Sequence, residues 1–445
     1  MVKITKKVKY LIIGNSAGGI GAAEAIRQVD RQGALVIISD EPYPAYSRPL
    51  ISEYLARERS LERMLFRPAD FYDKNDIGTF LGSRVKSLIL NEHAVEMDDG
   101  GRIVWEKLLI AAGGLPIVPQ IEGIEKEGVF TFITLKDAKA IDHHLNGTMR
   151  AVVIGGGLIG ISVTEALMKR GVKVTIVEAK ERILNTMLDE EASAREEATV
   201  REAGVSIVTG HTVVEISSEG KTVNSITLDN GQVVPCDLVV VAIGVRPCTE
   251  LVSDTGIKIN RGIVIDRHMA TSSPDVYACG DVAEAYDFIH GENRLNPVWP
   301  NAYLGGRIAG LNMAGVRTEH QGGLAMSALK YFGLDAVSAG IVTPPDDSYE
   351  VLKNVFDDNY RKVVLKEGLV VGMVFVGDVE KSGIIYSLIK DRVNVSSFKQ
   401  ALVARDFGLL SLPEERWGPY LKMPTSGVIS QVVSFERAGE IIVGE

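Results

Sequence analysis

Cysteine is scarce in this sequence, whose 445 residues contain three of them, Cys236, Cys248 and Cys279. They lie far apart and none belongs to a CxxC pair, which argues against a disulfide framework and against a structural zinc site. The seven histidines also lack the spacing of metal ligands. We therefore expect no metal site, and we interpret the three thiols as buried and inert.

Long apolar runs are also absent, because no stretch approaches the roughly 18 apolar residues that a membrane-spanning helix needs. Residues 1–15, MVKITKKVKYLIIGN, contain a short apolar run that ends in a glycine turn, which predicts a first β-strand rather than a signal peptide. The formal net charge of -10 argues against a surface that attracts nucleic acid or anionic lipid as a whole. We expect a cytoplasmic protein without nucleic-acid or membrane partners.

Glycine is plentiful, with 45 residues, and two glycine clusters share one layout. In residues 8–25, VKYLIIGNSAGGIGAAEA, an apolar β-like stretch passes through Gly14, Ser16 and Gly19 into an alanine-rich helical stretch. The following apolar stretch, LVIISD, ends in Asp40. This order predicts a strand, a tight turn, a helix and a second strand.

The second cluster repeats the plan more completely. Residues 150–169, RAVVIGGGLIGISVTEALMK, contain Gly155, Gly157 and Gly160, and the next strand-like stretch, VKVTIVE, ends in Glu178. In such units the glycines permit a tight turn, close approach of a pyrophosphate to the backbone, and close packing of helix on strand. The phosphate charge then lies against the free N–H groups at the helix start. Two copies predict that the chain binds two nucleotides.

The acid at the end of the second unit bears on nucleotide choice. A carboxylate there can accept hydrogen bonds from both ribose hydroxyls and would repel a 2′-phosphate, so Glu178 favours NADH over NADPH. Arg182 lies close by in the sequence and leaves NADPH open as an alternative.

Three further segments complete a recognisable order: LLIAAGGLP at 108–116, DLVVVAIGVRPCTEL at 237–251 and TSSPDVYACGDVAEA at 271–285. Together with the paired glycine turns they resemble the two-dinucleotide-binding-domain flavoproteins, the pyridine nucleotide-disulfide oxidoreductase superfamily. The resemblance covers nearly the whole chain. It implies an α/β fold with two Rossmann-like domains and a C-terminal α+β domain of the dimerisation type.

The resemblance also assigns cofactors to residues. It implies bound FAD at the first turn and NAD(P)H as substrate at the second, with Asp281 of the Gly280-Asp281 pair holding the ribityl and pyrophosphate region of FAD. Glycine there permits close backbone approach, and a carboxylate can accept hydroxyl hydrogen bonds. Gly113 and Gly244 end two of the apolar runs and are expected to mark the crossovers between domains, Gly113 at the FAD site and Gly244 at the NAD site.

Domain boundaries follow from these crossovers. Residues 1–115 and 247–325 are predicted to form one discontinuous FAD domain, with 116–246 inserted as the NAD domain. Residues 326–445 would form the third domain, which in this superfamily usually makes a homodimer. Its sequence contains two runs that we interpret as strand-like, VVLKEGLVVGMVFVGD and IIYSLIKDR.

The segment AYSRPLIS at 45–52 separates branches of the superfamily. Thiol-using branches, such as glutathione reductase, carry a redox cysteine near the position of Ser47, and serine can neither form a disulfide nor store two electrons. The segment instead resembles those of rubredoxin reductases, ferredoxin reductase-like flavoproteins and NADH-dependent nitrite reductases. Three segments look most like those of NAD/FAD oxidoreductases associated with carbon monoxide dehydrogenase and its ferredoxin. They are GNSAGGIGAAEAIR, EPYPAYSRPLISEYL and WPNAYLGGRIAGLNMAG. The resemblance implies that Arg48 lies beside the flavin; a surface ion pair is the alternative.

One departure from that branch concerns two positions. The ferredoxin reductase branch usually has a lysine soon after this segment and a glutamate on the second glycine helix, paired near the reactive nitrogen of the flavin. This sequence aligns Glu53 and Ser162 there instead, so the role of that pair is not transferred.

These observations predict an FAD-dependent NADH:acceptor oxidoreductase for electron transfer to a small iron–sulfur protein, ferredoxin or rubredoxin, in a reaction that could run in reverse. Such partners are typically acidic, and four arginines after the flavin segment could attract them, although a solvated helix face is the competing interpretation. They are Arg57, Arg59, Arg63 and Arg67.

Other functions stay open from the sequence. An NADH oxidase would pass electrons from flavin to oxygen or peroxide without needing a cysteine for oxygen. A coenzyme A-disulfide reductase-like enzyme would need a thiol that the segment lacks. A flavoprotein with mainly an interaction or sensing role would be reduced by NADH but turn over poorly with every acceptor.

Overall fold

The structure is a computed structural model that describes residues 5–147 and 149–415. The chain divides into two compact units, of which the first ends at Thr343 and the second begins at Pro344. Both glycine turns lie in the first unit. The helices are α1 (Ala17–Val29), α2 (Ile51–Leu55), α3 (Leu61–Met64), α4 (Phe71–Lys74), α5 (Leu135–His144), α6 (Leu158–Lys169), α7 (Glu190–Glu202), α8 (Trp299–Met313) and α9 (Ser382–Lys390).

A seven-stranded sheet contains the first glycine turn. Its strands are β1 (Thr5–Ile13), β2 (Leu35–Ser39), β3 (Ile77–Leu81), β4 (Val85–Ile89), β5 (Ala94–Met97), β6 (Arg102–Ile110) and, from much later in the sequence, β18 (Val276–Ala278). The order is β3-β2-β1-β6-β5-β4, and β18 pairs with β6 in parallel. The last residues of the central strands, 10–13 of β1 and 108–110 of β6, are continuously buried because both faces of this part of the sheet are covered.

A second sheet of five parallel strands contains the other glycine turn. Its order is β11-β10-β9-β15-β8. The strands are β8 (Val129–Thr131), β9 (Arg150–Ile154), β10 (Lys173–Glu178), β11 (Ser206–Thr209) and β15 (Leu238–Val241). In both sheets the strand that leads into the glycine turn is central, which places each turn at the carboxyl edge where ligands bind in open α/β sheets.

Smaller sheets complete the first unit. The short antiparallel pair of β7 and β16 connects the chain between the two large sheets, and β21 forms a hairpin with β22. The strands are β7 (Gly114–Pro116), β12 (Val213–Glu219), β13 (Thr222–Leu228), β14 (Val233–Pro235), β16 (Val245–Pro247), β17 (Ile263–Val264), β19 (Ala283–Asp287), β20 (Glu292–Arg294), β21 (Met326–Tyr331) and β22 (Leu334–Gly340).

Helices α1 and α8 pack on each other through glycine. A Cβ atom added to Gly306 would lie 2.0 Å from the carbonyl oxygen of Gly18, and one added to Gly310 would lie 2.4 Å from that of Ala22. A Cβ on Gly21 would meet the carbonyl oxygen of Tyr303 at 2.5 Å. The two backbones therefore approach more closely than any residue with a side chain would permit, and this contact fixes α1 directly behind the first glycine turn.

The second unit contains an antiparallel meander of β23 (Glu350–Phe356), β24 (Asn359–Lys366) and β25 (Leu369–Val376), followed by α9. The strand-like interpretation of IIYSLIKDR is wrong, because this segment forms α9. Its buried residues Ile385, Leu388 and Ile389 recur at helical spacing, so the run covers one face of a helix. Short apolar runs do not separate strand from helix by composition alone. Within the described part of the chain, no helix has the length and apolar character required to span a bilayer.

Candidate active site

A cleft of about 710 Å³ opens in the first unit along the carboxyl edge of the seven-stranded sheet. The glycine turn after β1, the end of β2 and the segment around Arg48 line it, together with the first turns of α6 and α8. The volume lies within the range of protein sites for small molecules and cofactors. All residues predicted to hold FAD except Gly19 line this cleft, namely Gly14, Ser16, Asp40, Arg48, Gly113, Gly280 and Asp281.

The first glycine turn fits a pyrophosphate. A Cβ on Gly14 would lie 2.1 Å from the carbonyl oxygen of Ala111, and one on Gly19 would lie 1.9 Å from that of Gly14. Gly19 thus packs beneath the turn, which explains why it does not line the cleft. Ser16 precedes α1 without capping it by its side chain, so the N–H groups of the first turn remain available to an anion.

Two acidic residues differ in their setting along the cleft. Asp40 follows β2 and is exposed, as expected of a group that binds a ribose. Asp281 lies deeper, in the turn after β18. Burial raises the pKa of Asp281, and the positive charge of Arg48 opposes that rise. Arg48 and Asp281, far apart in the sequence, therefore belong to one electrostatic environment.

Arg48 forms an ion pair with Glu41 through its Nη2 atom. The other carboxylate oxygen of Glu41 accepts a hydrogen bond from the Tyr46 hydroxyl at 2.6 Å, and that hydroxyl accepts one from the Leu135 amide at 2.9 Å. Arg48, Glu41 and Tyr46 all line the cleft. Arg48 therefore does form an ion pair, as the alternative interpretation of the sequence expected, but the pair lies in the cleft lining.

The second glycine turn repeats the geometry of the first. A Cβ on Gly155 would lie 2.4 Å from the carbonyl oxygen of Ala242, and one on Gly160 would lie 1.9 Å from that of Gly155. A Cβ on Gly157, by contrast, would meet no atom within 4 Å. The turn is thus closed toward the sheet and open on the side where a phosphate would approach.

Glu178 is buried at the end of β10 and faces this turn. Its Oε2 atom accepts a hydrogen bond from the Gly156 amide at 2.7 Å, and its Oε1 atom accepts one from the Lys180 amide at 2.9 Å. A carboxylate has about four acceptor positions, so capacity remains for ribose hydroxyls. The predicted NAD residues Gly155, Gly157, Gly160 and Glu178 are thus brought together beside the cleft; the α6 residues Leu158, Ile159 and Ser162 belong to its lining.

The two glycines predicted to mark crossovers flank the connecting strands. Gly113 precedes β7 and Gly244 precedes β16, with φ angles of +72° and +121°. These left-handed values favour glycine. The predicted domain boundaries lie close to these residues and stay a prediction.

The three thiols occupy different environments. Cys236 is buried, and burial raises its pKa to about 12. Cys279 is buried beneath the first glycine turn, where a Cβ on Gly18 would lie 2.8 Å from its Sγ atom, and burial raises its pKa to about 12 as well. Cys248 is partly buried in the cleft wall, and burial followed by the charge of Glu250 raises its pKa to about 11. All three are therefore protonated at neutral pH.

The four arginines proposed for docking are mostly neutralised. Arg57 pairs with Asp142 at 3.3 Å, Arg59 with Glu53 at 2.6 Å and Arg67 with Glu24 at 2.5 Å. Arg63 is exposed and has no carboxylate partner among the described residues. The segment thus presents less net positive charge than its sequence suggests.

Several cleft residues were missed from the sequence. Asn15 donates a hydrogen bond to the Tyr43 carbonyl at 3.2 Å and accepts one from the Tyr72 hydroxyl at 2.8 Å, which fixes the loop opposite the first turn. Trp299 and Tyr331 also line the cleft. The aromatic-rich text around EPYPAY was a usable signal for the loop, whereas nothing local in the sequence marks Tyr331. Within residues 5–147 and 149–415, no group of His, Cys, Asp and Glu side chains is arranged to hold a metal ion.

Comparison with known proteins gives the same assignment over most of the chain. The profile of the family described as pyridine nucleotide-disulphide oxidoreductase matches residues 8–306, and that of the rubredoxin NAD+ reductase C-terminal domain matches residues 326–393. The epsilon subunit of the NADH-dependent phenylglyoxylate dehydrogenase of Aromatoleum evansii is 30% identical over 410 residues, which are 91% of this chain and 96% of that protein.

Two further similarities extend this result. The NADH-rubredoxin oxidoreductase of Clostridium acetobutylicum is 29% identical over 375 residues, which are 84% of this chain and 92% of that protein. The solved structure of a NAD-dependent persulfide reductase from A. fulgidus superposes with a TM-score of 0.83 at 26% identity and covers 90% of this chain and 80% of that one.

These matches confirm the predicted fold class, the predicted superfamily, and FAD and NADH as the cofactor and the reductant. With two glycine turns shaped for pyrophosphate on two parallel sheets, this chain belongs to the pyridine nucleotide-disulphide oxidoreductase family and is an FAD-dependent NADH oxidoreductase.

Proposed function

We propose that this flavoprotein transfers electrons from NADH through FAD to a small iron–sulfur protein, a ferredoxin or rubredoxin, in a reversible reaction without a redox-active cysteine. The observation that carries the proposal is the environment of the thiols. Ser47 stands where thiol-using relatives need a cysteine, and burial holds the pKa values of Cys248 and Cys279, the thiols of the cleft lining, at about 11 and about 12. Neither is a ready nucleophile.

The similar proteins support this choice of acceptor. The relative from Clostridium acetobutylicum is named for rubredoxin, and residues 326–393 match a domain named for rubredoxin reductase. The relative from Aromatoleum evansii is a subunit of an NADH-dependent dehydrogenase, which is consistent with a module that exchanges electrons with another protein.

The proposed mechanism assigns a task to each wall of the cleft. The N–H groups at the start of α1 would hold the pyrophosphate of FAD, Asp40 would accept hydrogen bonds from its adenosine ribose, and Asp281 would accept them from its ribityl chain. Arg48, restrained by Glu41, would supply positive charge to the flavin site. Bound FAD would supply the redox chemistry that links NADH to the acceptor.

The other wall receives the reductant. The turn at Gly155, Gly157 and Gly160 binds the pyrophosphate of NADH, and Glu178 accepts hydrogen bonds from its ribose. Burial of Glu178 beside the turn supports a preference for NADH, since a 2′-phosphate would meet its charge. The crossovers at Gly113 and Gly244 lead the chain between the two nucleotide sites.

A panel of electron acceptors tests the proposal. Purified enzyme with bound FAD is mixed with NADH and, in separate anaerobic reactions, with ferredoxin, rubredoxin or coenzyme A disulfide; a further reaction uses air-saturated buffer. We expect fast turnover with an iron–sulfur protein and turnover at least tenfold slower with the disulfide and with oxygen. The matched variant carries Cys236→Ala, Cys248→Ala and Cys279→Ala, and its turnover should stay within about twofold because the thiols do not enter the reaction.

The contrary outcomes are distinct. Reoxidation fastest in air identifies an NADH oxidase, and loss of turnover on removal of the thiols identifies a sulfur relay. Reduction of FAD by NADH without turnover on any acceptor identifies a sensing protein. Each of these would overturn the proposed acceptor.

The docking surface is proposed to include Arg63, since the other three arginines already have carboxylate partners. Arg63→Glu should raise the KM for ferredoxin and leave turnover with a small dye unchanged, because the charge acts on protein encounter alone. Equal effects on both acceptors would exclude this surface.

We also propose that the enzyme is a homodimer. Val351 and Val355 lie on the same face of strand β23 and are 37% and 49% exposed, and Leu410 is 72% exposed. Contact with a second copy of the chain would cover such exposed apolar side chains. Sedimentation of the protein should give a dimer, and Val355→Lys should shift it toward the monomer; a monomeric starting protein would overturn the assignment.

A further inference from the structure

Tyr331 reaches the cleft from a part of the chain that is far from both glycine turns in the sequence. It ends β21 and lines the cleft together with Leu158, Ile159 and Ser162 from the first turns of α6. The hairpin is attached at this point, because the Phe332 amide donates a hydrogen bond of 2.8 Å to the Glu165 carboxylate on α6. The phenol is therefore held beside the second glycine turn rather than on a free loop.

The Tyr331 phenol lines the cleft beside Ser162, whose hydroxyl lowers the pKa of the phenol. Ser162 is buried, and its hydroxyl donates to the Ile159 carbonyl oxygen at 2.8 Å, which fixes this side chain at the start of α6. Burial raises the pKa of Tyr331, and Glu165 and Glu53 act in the same direction. The phenol is thus a neutral donor across the physiological pH range.

The charged side chains near Tyr331 and Ser162 form ion pairs with one another. Glu53 binds Arg59 at 2.6 Å, and Lys169 binds Glu58 at 3.0 Å and Glu165 at 3.2 Å. The α6 residues of the cleft lining comprise two apolar residues and Ser162. Where the ferredoxin reductase branch has a charged lysine–glutamate pair, this chain therefore offers two neutral hydroxyls to the cleft.

We propose that Tyr331, which lies beside Ser162 in the cleft wall and is anchored to α6 through the Phe332 amide, is a positioning residue that orients the nicotinamide ring of NADH for hydride transfer. An aromatic ring and a fixed hydroxyl at the start of α6 suit a flat ring that carries a carboxamide. The inference rests on the assignment of NADH to the second glycine turn, and it does not depend on which acceptor takes the electrons.

The test separates the reductive half-reaction from everything that follows it. Tyr331→Phe keeps the ring and removes its hydroxyl. Ser162→Ala removes the neighbouring hydroxyl of the cleft wall. Each variant is reduced anaerobically by NADH in a stopped-flow instrument. The long-wavelength charge-transfer absorbance of reduced enzyme with NAD+ and the Kd for NAD+ are measured alongside. Tyr277→Phe, a partly buried tyrosine of β18 outside the cleft lining, is the matched control.

We expect Tyr331→Phe to slow flavin reduction about tenfold, the effect of one hydrogen bond, and to weaken the charge-transfer band. FAD content and dye reduction by dithionite-reduced enzyme should not change. Tyr277→Phe should match the parent protein.

Two results would overturn the inference. One is a Tyr331→Phe variant with parental flavin reduction and a parental charge-transfer band. The other is an equal loss in the dithionite-reduced enzyme, which would indicate a structural role. Failure of ferredoxin as an acceptor, with normal reduction by NADH, would count against the proposed function and leave this inference unaffected.

Discussion

Arg48 is ion-paired with Glu41 in the lining of the cleft, and the Tyr46 hydroxyl occupies the other oxygen of the same carboxylate. Arg48 also lowers the pKa of the buried Asp281 against the effect of burial. Its charge therefore acts on the cleft in spite of its partner. Removal of the Arg48 charge and removal of the Glu41 charge should therefore shift the flavin potential in opposite directions.

Arg48→Ala should make the midpoint potential of bound FAD more negative, because positive charge no longer stabilises the reduced anion. Glu41→Gln should make it more positive, because the guanidinium is no longer compensated. Shifts of roughly 30 mV, equivalent to about 1.4 kcal/mol for two electrons, are expected for this partly buried pair. Spectroelectrochemical titration of both variants measures them, and shifts of the same sign would refute the relationship.

Substitutions in the two glycine turns should impair the binding of different nucleotides. Gly19→Ala places a Cβ 1.9 Å from the Gly14 carbonyl oxygen, and Gly160→Ala places one at the same distance from that of Gly155. The first variant should be purified with less than about a tenth of the parental FAD, since the turn must deform. The second should keep its FAD and its reduction by dithionite while flavin reduction by NADH falls. Absorbance spectra and NADH titrations distinguish them, and loss of FAD from both would contradict the assignment of two sites.

Glu178 should control the choice between the two nicotinamide dinucleotides. Glu178→Gln retains an oxygen for the Gly156 amide and removes the charge that opposes a 2′-phosphate. The ratio of kcat/KM for NADPH to that for NADH should rise about tenfold. Glu181→Gln, an exposed neighbour, is the control and should leave the ratio unchanged. An unchanged ratio in Glu178→Gln would place the ribose elsewhere.

Glu196 should make stability depend on pH. This residue of α7 is fully buried, neither of its carboxyl oxygens has a hydrogen-bond partner among the described residues, and burial followed by the charge of Glu165 raises its pKa to about 7. Between the ordinary carboxyl value of about 4.3 and about 7, the folded state binds more protons than the unfolded state, so stability falls as pH rises.

Replacing the carboxyl group by an amide removes that dependence. Glu196→Gln should match the parent protein near pH 5 and exceed its free energy of unfolding by about 3 kcal/mol near pH 8. Glu197→Gln, whose side chain instead pairs with Arg201 at 2.6 Å, should not show this gain. Urea denaturation across the pH range supplies the comparison, and parallel curves for parent and Glu196→Gln would exclude the effect.

The glycine turns were predictable from the sequence because their spacing encodes local backbone geometry. Gly14 and Gly155 have φ angles of +117° and +109°, and the acids Asp40 and Glu178 follow at the strand ends where the pattern places them. Such features depend on residues close together in the chain.

Other features depend on contacts that no local pattern records. Glu41 became the partner of Arg48, and Tyr331 reached Ser162, through tertiary packing. The arginines near residue 60 look like a basic patch in the sequence, but Asp142 and Glu24 neutralise Arg57 and Arg67 from distant elements. Helix α9 was wrongly predicted to be a strand, because a short apolar run fits the periodicity of a strand as well as that of a helix.

The glycine contact between α1 and α8 joins residues near the beginning of the chain to residues near position 306. A ribosome must therefore synthesise the chain through position 306 before the first helix can meet its partner. The inserted second sheet, whose strands lie between positions 129 and 241, can be completed earlier. Cofactor loading at the first turn is consequently a late event of biosynthesis, and nascent chains that stop before α8 should be released without flavin.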